Sequence, residues 1–184
     1  ELPKGARVGT SSPRRTAQLK HKRPDLQVVP LRGNVPTRAG KVGKECDAVL
    51  LAAAGLERLG LAKGFELSLQ DVPTAPGQGA IAVTARRGSA AASMAARADH
   101  APTRAAVEVE RAVLRELGTG CATPMGCSAW WQGDELRVVA EVLAPDGSRA
   151  ARLARTLAAR DHLEQAYELG VELAQRGVEV HGRW

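Results

Sequence analysis

Residues 8–20 read VGTSSPRRTAQLK. A short apolar run gives way to three small hydroxyl residues. Ser12 and Pro13 then stand where an N-cap and a first helical residue belong, and a helical pattern follows to about Lys22. A strand turning directly into a helix is the first half of a β-α unit, and the sequence repeats the alternation outward from it. ARVGTS, a helix from Pro13, LQVVPL, a helix after Asn34, and DAVLLAAAGLERLGL follow one another over residues 6–60. Within the last, Ala48–Ala53 is apolar at successive positions, as expected of a strand buried between helix layers. Strands alternating with helices predict a mostly parallel α/β sheet.

In such sheets the ligand crevice lies beyond the carboxyl ends of the strands. The loops that leave those ends here are GTSSPRR, LRGNVPTR and AAAGLERLG, and each carries arginine. Arg14 and Arg15 occupy the first turn of their helix, where the macrodipole already places partial positive charge and disfavours each cation by on the order of 0.3–1 kcal/mol. A lone arginine is ordinarily a solvated surface charge. Five of them at the crevice end, Arg14, Arg15, Arg32, Arg38 and Arg58, with Thr10, Ser11 and Ser12 alongside, form a candidate polyanion site. Guanidinium forks match carboxylate and phosphate in two-point fashion, and a bound anion reverses the dipole penalty.

Farther along, DVPTAPGQGAIAVTARR is rich in Pro and Gly and runs into an expected strand at Ala80–Thr84, so residues 76–100 read as a crossing segment with an Ala-rich helix over 88–98. Gly77 and Gly79 let the backbone of PGQGA approach a ligand or hinge the segment. After Pro102 the composition shifts. VEVERAVLRELG reads as a helix ending near Gly118–Gly120, followed by CATPMGCSAWW and a Gly-Asp turn. In the alternating strand ELRVVAEVL, Leu136, Val138, Ala140 and Val142 share one face. A Pro-Asp-Gly turn at 145–147, the strand ARLARTL, and a helix capped by Asp161 with Leu163, Ala166, Leu169 and Leu173 on one face complete a small antiparallel sheet packed on helices. The expected class is thus α/β plus α+β, with an α/β domain over 1–75, the crossing segment over 76–100 and an α+β domain over 101–184.

The 184 residues are 44% hydrophobic, enough for a real core, and 26 Lys and Arg against 20 Asp and Glu give +6, which favours acidic ligands. Aromatics at 3% are too sparse for the stacking platforms of single-stranded nucleic-acid binders, and no apolar run reaches membrane-spanning length. Three cysteines form no disulfide framework, and a reducing cytoplasm is the expected compartment. Four scattered His and no C-x-x-C predict no metal site. Cys121, in GTGCATP, falls in an expected exposed turn. Nearby cations or helix ends could there supply the thiolate character needed for covalent attachment, whereas Cys46 and Cys127 read as ordinary buried thiols.

Taken together, VGTSSPRR, LRGNVPTR, DAVLLAAAGLERLGL, PGQGAIAV, VERAVLRELGTGCATP and LAPDGS resemble, in order and across nearly the whole chain, the porphobilinogen deaminase (hydroxymethylbilane synthase) family. The resemblance implies a three-domain transferase of tetrapyrrole biosynthesis. Its first two domains are α/β units like those of periplasmic binding proteins, and a third α+β domain carries a covalent dipyrromethane. It implies attachment at Cys121, and binding of cofactor and substrate carboxylates by Arg14, Arg15, Arg32, Arg38 and Arg58. Thr10, Ser11 and Ser12 would lie beside them, and Gly77, Gln78 and Gly79 near the cofactor. Four porphobilinogen units would be added head to tail with loss of ammonia, passing through linear polypyrroles, before hydrolysis releases hydroxymethylbilane from an enzyme that is monomeric when complete.

This sequence departs from the family pattern in three respects. Thr119 replaces the usual first glycine of the cysteine loop, and Pro13 and Pro36 stand where other residues are common. The chain opens at Glu1, which suggests that its beginning lies upstream, and the family's catalytic aspartate would fall there. No aspartate between 1 and 184 takes that role, residues 78–99 would return to the upstream domain, and the 184-residue chain alone is expected not to convert porphobilinogen. A non-catalytic anion-binding module with a structural Cys121 is the alternative; it accounts for the arginines and leaves the cysteine loop unexplained. A basic nucleic-acid-binding protein is a third reading, to be tested by the salt dependence of binding.

Overall fold

A computed structural model describes residues 2–61, 64–118, 123–158 and 160–181. The first unit contains β1 (Arg7–Gly9), α1 (Pro13–Lys22), β2 (Gln27–Val29), α2 (Val35–Ala39), β3 (Ala48–Val49) and α3 (Ala53–Arg58). Its sheet has the order β2-β1-β3 and is parallel throughout, with Val8 opposite both Val28 and Ala48. Helix α1 begins as expected: Ser12 has extended backbone, its hydroxyl accepts from the Arg15 N–H, and Pro13 opens the helix. Asn34 does the same for α2, accepting from the Thr37 N–H.

The third strand is shorter than its sequence suggests. It covers two residues, both only half-buried, because the chain turns into α3 at Ala53 and leaves Ala52–Ala54 exposed. A small cluster of Ala6, Val8 and Leu26, joined by Leu2 and Leu19, packs in this unit, and Ala17, Leu31 and Cys46 are buried outside that cluster.

Residues 80–84 correct another expectation. No strand forms there: Ile81 is 81% and Val83 64% exposed, and among the described residues no sheet edge lies alongside to take their backbone hydrogen bonds. The Ala-rich stretch does form a helix, α4 (Ala90–Ala96), capped by Ser89.

The second unit holds the main core. Helix α5 (Ala101–Leu117) ends on Gly118 in the left-handed conformation, and strands β4 (Met125–Gln132), β5 (Glu135–Leu143) and β6 (Ala150–Leu157) form an antiparallel meander against α5 and α6 (His162–His181). Leu136, Val138, Ala140 and Val142 face Val109, Val113, Leu169 and Leu173 in one cluster of nearly inaccessible side chains, each contributing about 1.5–3 kcal/mol by burial if it is a full-sized aliphatic group. Leu163 falls outside this stripe and is 37% exposed.

Both faces of β5 are covered, since Val139, Glu141 and Leu143 are buried as well. The cover on that second side comes from the first unit. Thr74 O accepts from Cys127 N at 2.8 Å and Thr74 N donates to Ser128 Oγ at 2.9 Å, so residues 73–74 lie along the free edge of β4. Gly147, with φ of 76°, brings the β5–β6 turn so close to α1 that a Cβ there would meet His21 N and Lys20 Cβ at 2.7 Å. That approach is open only to glycine.

Candidate functional site

The loop after β1 is shaped by its own hydroxyls. Thr10 is buried, its N–H donates to Val29 O, and its Oγ1 accepts from Ser12 N at 3.3 Å. Ser11 Oγ donates to Leu31 O at 2.5 Å and accepts from Leu31 N at 2.9 Å, which ties the β1 exit to the β2 exit. Leu31 in turn sits over Gly9, where a Cβ would come within 2.1 Å of its Cδ1. All three hydroxyl residues flagged in the sequence therefore fix the loop that presents the arginines.

Arg14 is not a surface charge. It is 8% exposed, and its fork donates to Gln18 Oε1 at 3.1 Å, Pro73 O at 2.8 Å and Gln78 Oε1 at 3.2 Å. Arg15 is half-buried and donates to Leu50 O at 2.8 Å; Arg38 Nε donates to Gly33 O at 2.7 Å. Carbonyls and amides hold these guanidiniums in place without neutralising them. Burial, and secondarily the charge of Arg15, pulls Arg14 down to about 10, and burial followed by the charge of Arg38 lowers Arg15. Arg15 thus repels Arg14 on one side and is repelled by Arg38 on the other, while the charge of Glu141 partly offsets the cost at Arg14. Among the described residues none of the three forms an ion pair with a carboxylate, while Arg7, Arg23, Arg104 and Arg137 do. Arg32 is exposed on the β2 exit loop, whereas Arg58, also exposed, is the last residue of α3 and not part of the β3 exit loop as the sequence suggested; neither forms an ion pair among the described residues.

Gln78 touches Arg14 from the crossing segment, and the adjacent Gly77 N donates to Glu110 Oε2 at 2.6 Å. Gly79, with φ of 98°, follows in the turn. Cys121 and its neighbours 119, 120 and 122 lie outside the described residues. Cys46 and Cys127 are buried free thiols, and burial raises both.

Sequence reasoning missed Gln18, Glu110 and Glu141. Gln18 and Glu141 are 2% and 4% exposed and share a 2.6 Å hydrogen bond; Glu110 accepts from Gly77 N and from Ala129 N at 2.8 Å, and burial raises its carboxyl. A signal existed for two of them. Gln18 is four residues past Arg14 on the same helix face, and Glu110 interrupts the apolar stripe of Val109, Ala112 and Val113. Glu110 also lines a cavity of about 400 Å³ with Thr74, Gly77, Gln78, Ser128 and Trp131. Among the described residues no helix is long and apolar enough to cross a membrane.

Two family models match. Residues 1–94 match "Porphobilinogen deaminase, dipyromethane cofactor binding domain", and residues 104–177 match "Porphobilinogen deaminase, C-terminal domain". The porphobilinogen deaminase of Thermobifida fusca is 46% identical over 97% of this chain and 59% of its own length. That of Corynebacterium aurimucosum is 50% identical over 81% of this chain and 51% of its own. A probable porphobilinogen deaminase of Methanosarcina mazei is 41% identical over 96% and 57% respectively. The chain therefore spans between half and three-fifths of the length of these curated relatives. With one model covering half of the chain and the other most of the remainder, the chain belongs to the porphobilinogen deaminase family.

Proposed function

We propose that this chain serves a transferase that joins four porphobilinogen units head to tail onto a cysteine-linked dipyrromethane, with loss of ammonia, and releases hydroxymethylbilane by hydrolysis. Residues 1–75 would be a periplasmic-binding-protein-like α/β domain, 76–100 a crossing segment, and 101–184 the domain bearing the attachment cysteine, Cys121. One observation carries the reading: Arg15 lies within electrostatic reach of both Arg14 and Arg38, and all three guanidiniums hydrogen-bond to neutral acceptors. Such a donor set fits a ligand rich in carboxylates, as acetate- and propionate-bearing pyrroles are.

When bound, dipyrromethane supplies the pyrrole carbon at which the new bond forms. The roles of this chain's own residues are to bind, orient and neutralise. Arg14 and Arg15, with Arg32 on the β2 exit loop, Arg38 in α2 and Arg58 at the end of α3, would bind carboxylates; Thr10, Ser11 and Ser12 would keep the loop open, and Gly77, Gln78 and Gly79 would close the site from the crossing segment. The exposed Ile81 and Val83 suit a segment that pairs with a further domain. No aspartate between 1 and 184 is assigned the acid role.

Intact-mass spectrometry of the protein as its gene encodes it, and of its Cys121→Ser variant, tests the reading. A dipyrromethane-sized increment is expected on the first and absent from the second. Equal increments, or none on either, would favour a non-catalytic anion-binding module.

A further inference from the structure

Arg15 leans on a single carbonyl, but Arg14 sits in a relay that crosses from one unit to the other. The Gln18 amide lies between them with both ends chemically determined. Its Oε1 faces the Arg14 donor at 3.1 Å, and its Nε2 faces two acceptors, Pro73 O at 2.8 Å and Glu141 Oε1 at 2.6 Å. A flipped amide would set NH₂ against guanidinium and carbonyl against carboxylate, so only one orientation satisfies the network. Glu141 is fixed in its turn. Its other oxygen accepts from Arg152, whose remaining guanidinium nitrogen donates to Gln70 O. Every link is buried except the outer Arg152 end, where one partly exposed side chain closes the relay.

We propose that Gln18 is a positioning residue of the anion site: clamped by Glu141 of β5, it aims the Arg14 guanidinium, so that ligand recognition in the first unit depends on docking of the C-terminal sheet. The physical basis is that a guanidinium must present two donors in a fixed plane to engage a carboxylate two-fold, and that removing Gln18 takes away one of the three acceptors, with Pro73 O and Gln78 Oε1, that fix the Arg14 plane. Glu141 supplies the restraint because a charged acceptor makes the stronger and shorter hydrogen bond. The inference rests on the reading that Arg14 receives ligand carboxylates.

Two measurements on the chain separate the inference from that reading. In ¹⁵N-edited spectra, the Arg14 guanidinium nitrogens are expected to give separate, slowly exchanging signals in wild type. They should merge into averaged signals in Gln18→Leu and in Glu141→Leu; Gln18→Met, which conserves volume, is the second variant should Gln18→Leu not fold. Titration with porphobilinogen should be weakened about tenfold by Gln18→Leu and not weakened further by it in an Arg14→Leu background. Unchanged Arg14 signals in the Gln18 variants, or an equal loss of affinity in the Arg14→Leu background, overturns the positioning role. Merged signals together with a wild type that does not bind porphobilinogen upholds that role and overturns the ligand reading instead.

Discussion

Arg14 and Arg15 are adjacent in sequence and would be treated alike from it, yet their side chains stand in different energetic positions. Arg15→Leu removes one carbonyl hydrogen bond and one repulsive charge, so its stability should stay within about 0.5 kcal/mol of wild type while porphobilinogen affinity falls about tenfold or more. Arg14→Leu withdraws the donor from Gln18 and Gln78 inside a buried network. Its unfolding free energy should drop by about 1–3 kcal/mol in addition to the loss of binding. Urea unfolding and calorimetric titration of both variants check this, and equal stability for the two would contradict it. The N-cap, the proline and the arginine pair were readable because they act over a few residues. The burial of Arg14 was not, because its acceptors at Pro73 and Gln78 lie 59 and 64 residues away.

At the scale of elements, α5 does two jobs. One face carries Val109, Val113 and Leu117 into the core, and Glu110 beside them accepts from Gly77 in the crossing segment and Ala129 in β4. Burial raises this carboxyl above its ordinary value of 4.5, so just above that pH the folded chain retains a proton that the unfolded chain has released. The contribution to stability is full below the unfolded value and is lost as pH rises through the raised one. The stability of wild type relative to Glu110→Gln should therefore decline over the interval above about pH 4.5, as read from urea midpoints at each pH. A difference that grows over that interval would show the two N–H donors outweighing burial. The helix itself was legible from spacing, as was the alternation of β5. The burial of Val139 and Glu141 on the other face of β5 was not, since it depends on α1 arriving from 123 residues away, the separation of Gln18 and Glu141. Ala80–Thr84 misled in the opposite way: its composition suits a strand, but a strand needs an edge to pair with.

For the whole molecule, the two halves differ in how far their contacts reach along the chain. In the meander, Gln132 pairs with Glu135 across a two-residue turn, and α5 and α6 flank the three strands directly. In the first unit, Val8 pairs with Val28 and Ala48, and its contiguous core cluster of Ala6, Val8 and Leu26 is far smaller than that of the second unit. Ordering a parallel sheet requires closing those longer loops before the pairing rewards it. The half made later by the ribosome is accordingly the half expected to organise first. Pulse-labelled hydrogen exchange during refolding should protect the amides of Val138 and Ala140 before those of Val8 and Val49, and simultaneous protection would count against it. On that order of events the finished meander is a template: its β4 edge waits for Pro73 and Thr74, and the arginine loops acquire their final shape only when the earlier-made chain settles onto the later-made one.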